Sequence, residues 1–183
     1  WSAIAGLDAS EHMNKASDGL ILLGDDYEAV RVALAACASV EEMARVADNF
    51  FLPRLKETDA DQLKVVQAIG DWLRNDPIPS PDILYEKVDV GPRQVMRIAN
   101  RFYGAPPNLL ARKYRALRTA SLFIAGQKSV TDDMASRYSD RSHLSREVKH
   151  FTGLSPRELS VQKSPIMQVT LSPDRFNYDA PWT

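Results

Sequence analysis

The chain has little of what marks a catalyst or a secreted protein. It holds one cysteine, Cys37, within the apolar run Ala-Leu-Ala-Ala-Cys-Ala, so no internal disulfide forms and a reduced cytosolic setting is expected. No apolar run approaches the ~18 residues that a membrane-spanning helix needs, and no basic-then-apolar leader opens the chain, so no membrane partner is expected. There is no glycine-rich phosphate loop, no nucleophile elbow and no Cys/His spacing suited to a metal. Neither catalysis, nor a cofactor, nor a metal site is therefore expected. His12 has no ligand-spaced companion, and His143 and His150 read as packing or hydrogen-bonding groups. Because it begins at Trp1 without methionine, the chain is expected to be a fragment or processed form whose N-terminal partner is missing.

Net charge is also scarce, at −1 over 183 residues, but its distribution is uneven. Residues 1–79 carry 14 Asp and Glu against 7 Lys and Arg, residues 80–162 carry 8 against 14, and residues 163–183 carry two of each. A basic module beside an acidic one suits a polyanion-binding domain whose neighbour does not touch the polyanion. A hydrophobic content of 44% supplies a core for one or two domains.

What is present is a pattern that occurs twice, 49 positions apart: GPRQVMRIANRFYGAPPNLL over 91–110 and DRSHLSREVKHFTGLSPREL over 140–159. Without a gap, Val95 pairs with Leu144, Arg97 with Arg146, Ala99 with Val148, Phe102 with Phe151, Gly104 with Gly153, Pro107 with Pro156 and Leu110 with Leu159. Val95, Ala99 and Phe102 fall at i, i+4 and i+7, one apolar helical stripe, and Leu144, Val148 and Phe151 repeat it. Arg93, Gln94, Met96, Arg97, Asn100 and Arg101 point elsewhere in the first copy, and Arg141, Ser142, Ser145, Arg146 and Lys149 do so in the second. A glycine able to adopt the left-handed conformation closes each helix, and a proline soon after opens the next.

The stretch Ser142-His-Leu-Ser-Arg-Glu-Val-Lys-His-Phe-Thr-Gly-Leu-Ser-Pro-Arg-Glu-Leu159 closely resembles the second half of an AraC/XylS-type DNA-binding domain. Gly91-Pro-Arg-Gln-Val-Met-Arg97, continuing to Arg118, resembles the first half, where the family pattern is Ser-Pro-Arg-x-Leu-x-Arg. The resemblance covers roughly residues 78–162. It implies an all-α fold with two helix-turn-helix units joined by a linker helix from about Pro107 to Ala125, preceded by a smaller helical segment. It further implies a transcription regulator whose recognition helices, about 92–102 and 141–151, enter successive major-groove segments of double-stranded DNA. By the same resemblance Arg93, Gln94, Met96, Arg97, Asn100, Arg141, Ser142, Ser145 and Arg146 face the groove, while Arg112, Lys113, Arg115 and Lys149 meet phosphates. RNA polymerase, a small-molecule effector and a second copy joined through the N-terminal or a missing domain are the further partners that it leaves open. Rival readings are a helical sensor or interaction protein with a degenerate pair that does not bind DNA, and a repair-methyltransferase type of enzyme, which needs a reactive thiol that Cys37 in its alanine-rich helix does not suggest.

Two departures from the family stand out. Ala99 occupies a position where the family places a large aromatic, so the first core is expected to be repacked with Ile98, Phe102 and Tyr103. Ahead of the second copy, Val130-Thr-Asp-Asp-Met-Ala-Ser-Arg-Tyr138 lacks the family's hydrophobic-Ala pair and glycine. Burying Asp132 and Asp133 is costly, so Met134 and Ala135 are expected to fill those places after a two-residue shortening, with Arg137 at the glycine position.

The acidic stretch over 1–76 reads as helical and resembles the end of a sensory or dimerisation domain. Asp25 and Asp26 precede one helix, a capping box of Ser39 and Glu42 opens another that Pro53 ends or kinks, and Thr58 opens a third with Leu63, Val66, Ile69 and Leu73 facing inward. Leu20–Leu23 fits either a short strand or a helix end. Phe50, Phe51 and Leu52 read as core, with a subunit contact as the alternative. Pro77-Ile-Pro-Ser-Pro81 is the linker, with Ser80 as cap and Pro81 at the first helical position. Residues 163–183 are expected to be a tail with a short extended run over 164–173, its aromatics Phe176, Tyr178 and Trp182 either docked or disordered.

Overall fold

The computed structural model describes residue 2 and residues 6–76, 78–126, 138–162 and 164–172. The fold is all-α, with no strand among the described residues. Contacts gather into two units, one of Trp1–Val66 with Pro92–Pro106 and one of Gln67–Gly91 with Pro107–Thr183.

The first unit begins with α1 (Ala9–His12) and α2 (Gly19–Leu23), each opened by an aspartate, Asp8 or Asp18, that accepts a backbone N–H two residues on. The segment at Leu20–Leu23 is thus helical. Next come α3 (Asp26–Ala36) and α4 (Val40–Phe51), which pack on each other. Ser39 accepts the Glu42 N–H, while the Glu42 carboxylate reaches back to the Ala38 N–H, one residue further than an ideal capping box. Pro53 ends α4 in a 3-10 turn over Leu52–Arg54, and Arg54 ties α4 to the start of α3 by bonding Phe50 O and Asp26 and lying 3.8 Å over the Phe50 ring. Phe50 is buried, Phe51 half-buried and Leu52 exposed. Much of the apolar surface stays open, with Ile21 82% and Val40 75% exposed. The unit is completed by α7 (Pro92–Tyr103), on which α1 packs.

Helix α5 (Ala60–Asn75) contributes its first residues to that unit and the rest to the second. Its opening cap is Asp59, whose carboxylate accepts the Gln62 N–H, rather than Thr58. The inward stripe is Val65, Ile69, Trp72 and Leu73, at i, i+4, i+7 and i+8, whereas Leu63 is 41% exposed and Val66 half-buried. Including Trp72, the largest apolar side chain of the helix, turns the buried face away from Leu63.

The second unit is organised by α8 (Pro107–Ile124), whose 18 residues at ~1.5 Å each make a rod of about 27 Å. Against it pack α6 (Pro81–Lys87), α9 (Arg141–Thr152) and α10 (Pro156–Ser160). Ser80 precedes α6 with Pro81 at the first turn, but its hydroxyl makes no cap bond. Ala120, Tyr138, Leu144, Val148, Leu159 and Leu171 form the core, with Leu117, Phe123, Ile124, Leu154 and Met167 packed around it. The Arg118 guanidinium, 8% exposed, donates to Leu73 O at 2.9 Å, Arg74 O and Asp76 O, so a side chain of α8 closes the C-terminal end of α5.

The expectation of an extended run beyond residue 163 is corrected: Pro165–Thr170 is a helix, α11. Pro165 pre-sets the first turn. Met167 and Leu171, four apart, share a face and join the core, and that burial outweighs the strand leaning of Ile166, Val169 and Thr170. Phe176, Tyr178 and Trp182, like the register of Asp132, Asp133, Met134, Ala135 and Arg137, lie outside the described residues.

Candidate nucleic-acid interface

The two copies fold as helices of equal length, α7 and α9, twelve residues each. Each closes on a left-handed glycine, Gly104 at φ 78° and Gly153 at φ 77°. In both, the glycine N–H bonds the carbonyl four residues back, Asn100 O or Lys149 O, at 2.9 Å. In both, the following helix opens with the paired proline, Pro107 or Pro156. Sequence reasoning passed over the reciprocal box at the second junction, where Ser155 accepts the Glu158 N–H and the Glu158 carboxylate accepts the Ser155 N–H at 2.7 Å. The signal was the spacing Ser-x-x-Glu.

The buried positions match too: Val95 with Leu144, Ala99 with Val148, and Leu110 with Leu159. Phe102 and Phe151 are both half-buried. In the first copy Ile98 is buried beside Ala99, and the half-buried Tyr103 donates its hydroxyl to Val66 O at 2.8 Å.

One difference separates the glycines. A Cβ on Gly104 would lie 3.0 Å from Ala9 O, whereas on Gly153 it would meet open space. Gly104→Ala and Gly153→Ala both incur the left-handed cost of ~1–2 kcal/mol, and only the former must also displace α1. Thermal unfolding is expected to fall further for Gly104→Ala; equal losses would show that α1 does not rest on this position.

The outward faces carry the cations. On α7, Arg93, Met96 and Arg97 are exposed, and Gln94 and Asn100 are half-buried. On α9, Arg141, Ser142, Arg146 and Lys149 are exposed, and Ser145 is half-buried. Asp140 caps α9 by accepting the His143 N–H. On α8, Lys113 is exposed, but Arg112 and Arg115 are engaged. Their guanidiniums donate to the two oxygens of the Glu147 carboxylate, Arg112 Nε to Oε1 and Arg115 Nη2 to Oε2, each at 2.8 Å.

Glu147 is the residue that sequence reasoning missed. It is 3% exposed and takes the place that Ile98 holds in the first copy. An apolar residue at the paired position was the available signal that 147 faces inward. Burial alone would raise the Glu147 pKa, but hydrogen bonds and charge from Arg112 and Arg115 prevail and hold it below the ordinary glutamate value. Around the cluster, Arg115 lies 4.9 Å over the Tyr138 ring, Tyr138 OH is 3.2 Å from Thr119 Oγ1, and His143 Nε2 is 3.7 Å from Glu147 Oε1. Burial pushes the Tyr138 phenol up.

His143 also meets Ser139 through Nδ1 at 3.1 Å, a packing and hydrogen-bonding role. Among the described residues no group of three or more His, Cys, Asp or Glu side chains gathers as a metal site, and no helix is long and apolar enough to cross a membrane. Each unit thus carries one helix of the repeat, with the same buried register and with cations at exposed positions. No protein-family model, curated protein or solved structure matches the chain.

Proposed function

We propose that the protein is a sequence-specific DNA-binding transcription regulator of AraC/XylS type that places α7 and α9 in successive major-groove segments. The observation that carries this reading is the matched register of the two basic helices. Arg97 and Arg146 are exposed at the same position of each, above the same buried pairs and ahead of the same glycine closure. A solvated charged face needs no such duplication.

In this reading Arg93, Met96, Arg97, Arg141, Ser142, Ser145 and Arg146 read base edges, Gln94 and Asn100 flank them, and Lys113 and Lys149 meet phosphates. Arginine donates bidentately to guanine, and losing such a pair costs ~1–3 kcal/mol. The test is a salt-titrated binding assay on a pool of random duplexes with the selected sequences read out. Arg97→Ala and Arg146→Ala are expected each to weaken the selected complex and to relax preference at different half-sites. Wild-type affinity in both variants would remove the base-reading assignment. A chain that binds no duplex at any salt would instead be the helical interaction protein that is its rival.

A further inference from the structure

The two copies differ in polarity at one buried position: Ile98 in α7, Glu147 in α9. An isolated carboxylate 3% exposed is costly to bury, and here both its oxygens are taken up by guanidiniums from a different helix, α8. The Arg115 side chain is 20% exposed and packed over Tyr138, so it lies inside the α8/α9 junction. Arg112 is 52% exposed but holds Glu147 through the inner nitrogen of its guanidinium. Next along α9, Arg146 is exposed, so the carboxylate that fixes the helix is adjacent to a cation that the helix presents.

We propose that Glu147 is a positioning residue of the second basic helix: it clamps α9 to α8 and, by engaging Arg112 and Arg115, withholds both from the phosphate backbone. This rests on the DNA-binding reading above. Contact by the second unit then falls to Arg141, Ser142, Ser145, Arg146, Lys149 and Lys113, and the sequence preference of α9 depends on a buried carboxylate that touches no nucleic acid. A conserved positive count with a released clamp would bind DNA more indiscriminately, since phosphate contacts carry no sequence information.

The experiment is the salt dependence of full-chain binding to a selected duplex and to random duplexes, with thermal unfolding recorded for each protein. The slope of log affinity against log salt counts the phosphates neutralised, at ~0.9 per contact on duplex DNA. Arg112→Gln, a change at a half-exposed side chain, is expected to leave the slope unchanged, while Lys113→Gln lowers it by about 0.9. Glu147→Gln keeps the shape but removes the charge; its slope should steepen by about 0.9 for each arginine released, and its preference for selected over random duplex should fall. A purely structural role would reduce all binding in proportion to the unfolded fraction and leave the slope alone, which would overturn the proposal. So would a slope in Arg112→Gln that drops as it does in Lys113→Gln, because Arg112 would then already meet phosphate. Wild-type protein that binds no duplex sinks the DNA-binding reading and this inference together, whereas wild-type binding with an unaltered slope in Glu147→Gln sinks the inference alone.

Discussion

Glu147→Ala is expected to cost ~3–5 kcal/mol of stability, the range for breaking a buried ion pair by removing one partner. The loss comes mainly from what is left behind. Arg115 stays four-fifths covered and over the Tyr138 ring with nothing to offset its charge, and α9 loses its polar tether to α8. The same interaction predicts a pH dependence. The folded pKa of Glu147 is depressed, so its contribution is fully present above the unfolded glutamate value, about 4.3, and is lost as pH falls below that toward the folded value. Denaturant unfolding of wild type and Glu147→Ala at pH 7 and pH 3 is expected to show the difference between them shrinking at the acid end. A difference that stays constant would mean that the carboxylate charge contributes nothing beyond its volume.

Arg118→Met should be nearly as damaging. Its guanidinium serves three carbonyls at the end of α5, those of Leu73, Arg74 and Asp76. Each hydrogen bond to a charged group contributes ~1.5–3 kcal/mol, and methionine supplies none of them while filling similar volume. A loss of about 3–5 kcal/mol is expected, somewhat below the sum because water reaches part of the helix end. Arg118→Lys should recover part of it, since an ammonium reaches one carbonyl but lacks the planar fork. Chemical denaturation of the two variants decides the matter: equal stability for lysine and methionine would show that the three carbonyls find other partners.

How far the sequence disclosed these features depended on the kind of signal. Helix periodicity together with glycine and proline punctuation was enough for α7, α8 and α9, because Val95, Ala99, Leu144 and Val148 lie on one face and Gly104 and Gly153 stop the helices wherever the pattern stops. It was not enough for α5, where Leu63 and Val65 are equally apolar and only the bulk of Trp72 decides which face turns inward. It failed at α11, whose six residues lean toward a strand and become helical only through the contacts of Met167 and Leu171. At the candidate interface the outward cations were legible, since charged residues off the apolar stripe are solvated by default. The interior ones were not. Arg115, Arg118 and Glu147 look in sequence like any other surface charges, and their burial follows from partners 32 to 45 residues away.

The ionic junction of α8 and α9 also constrains how this chain is able to vary. A buried charged trio replaced as a whole by apolar side chains of matched volume is often neutral or stabilising, whereas any single replacement strands a charge. Glu147, Arg112 and Arg115 are therefore coupled in inheritance: the routes from an ionic to an oily junction pass through a weakened intermediate unless the changes arrive together or begin at the half-exposed Arg112. Ile98, at the matching place in α7, faces no such barrier and is free to drift to valine or leucine in single steps of ~1.5 kcal/mol or less.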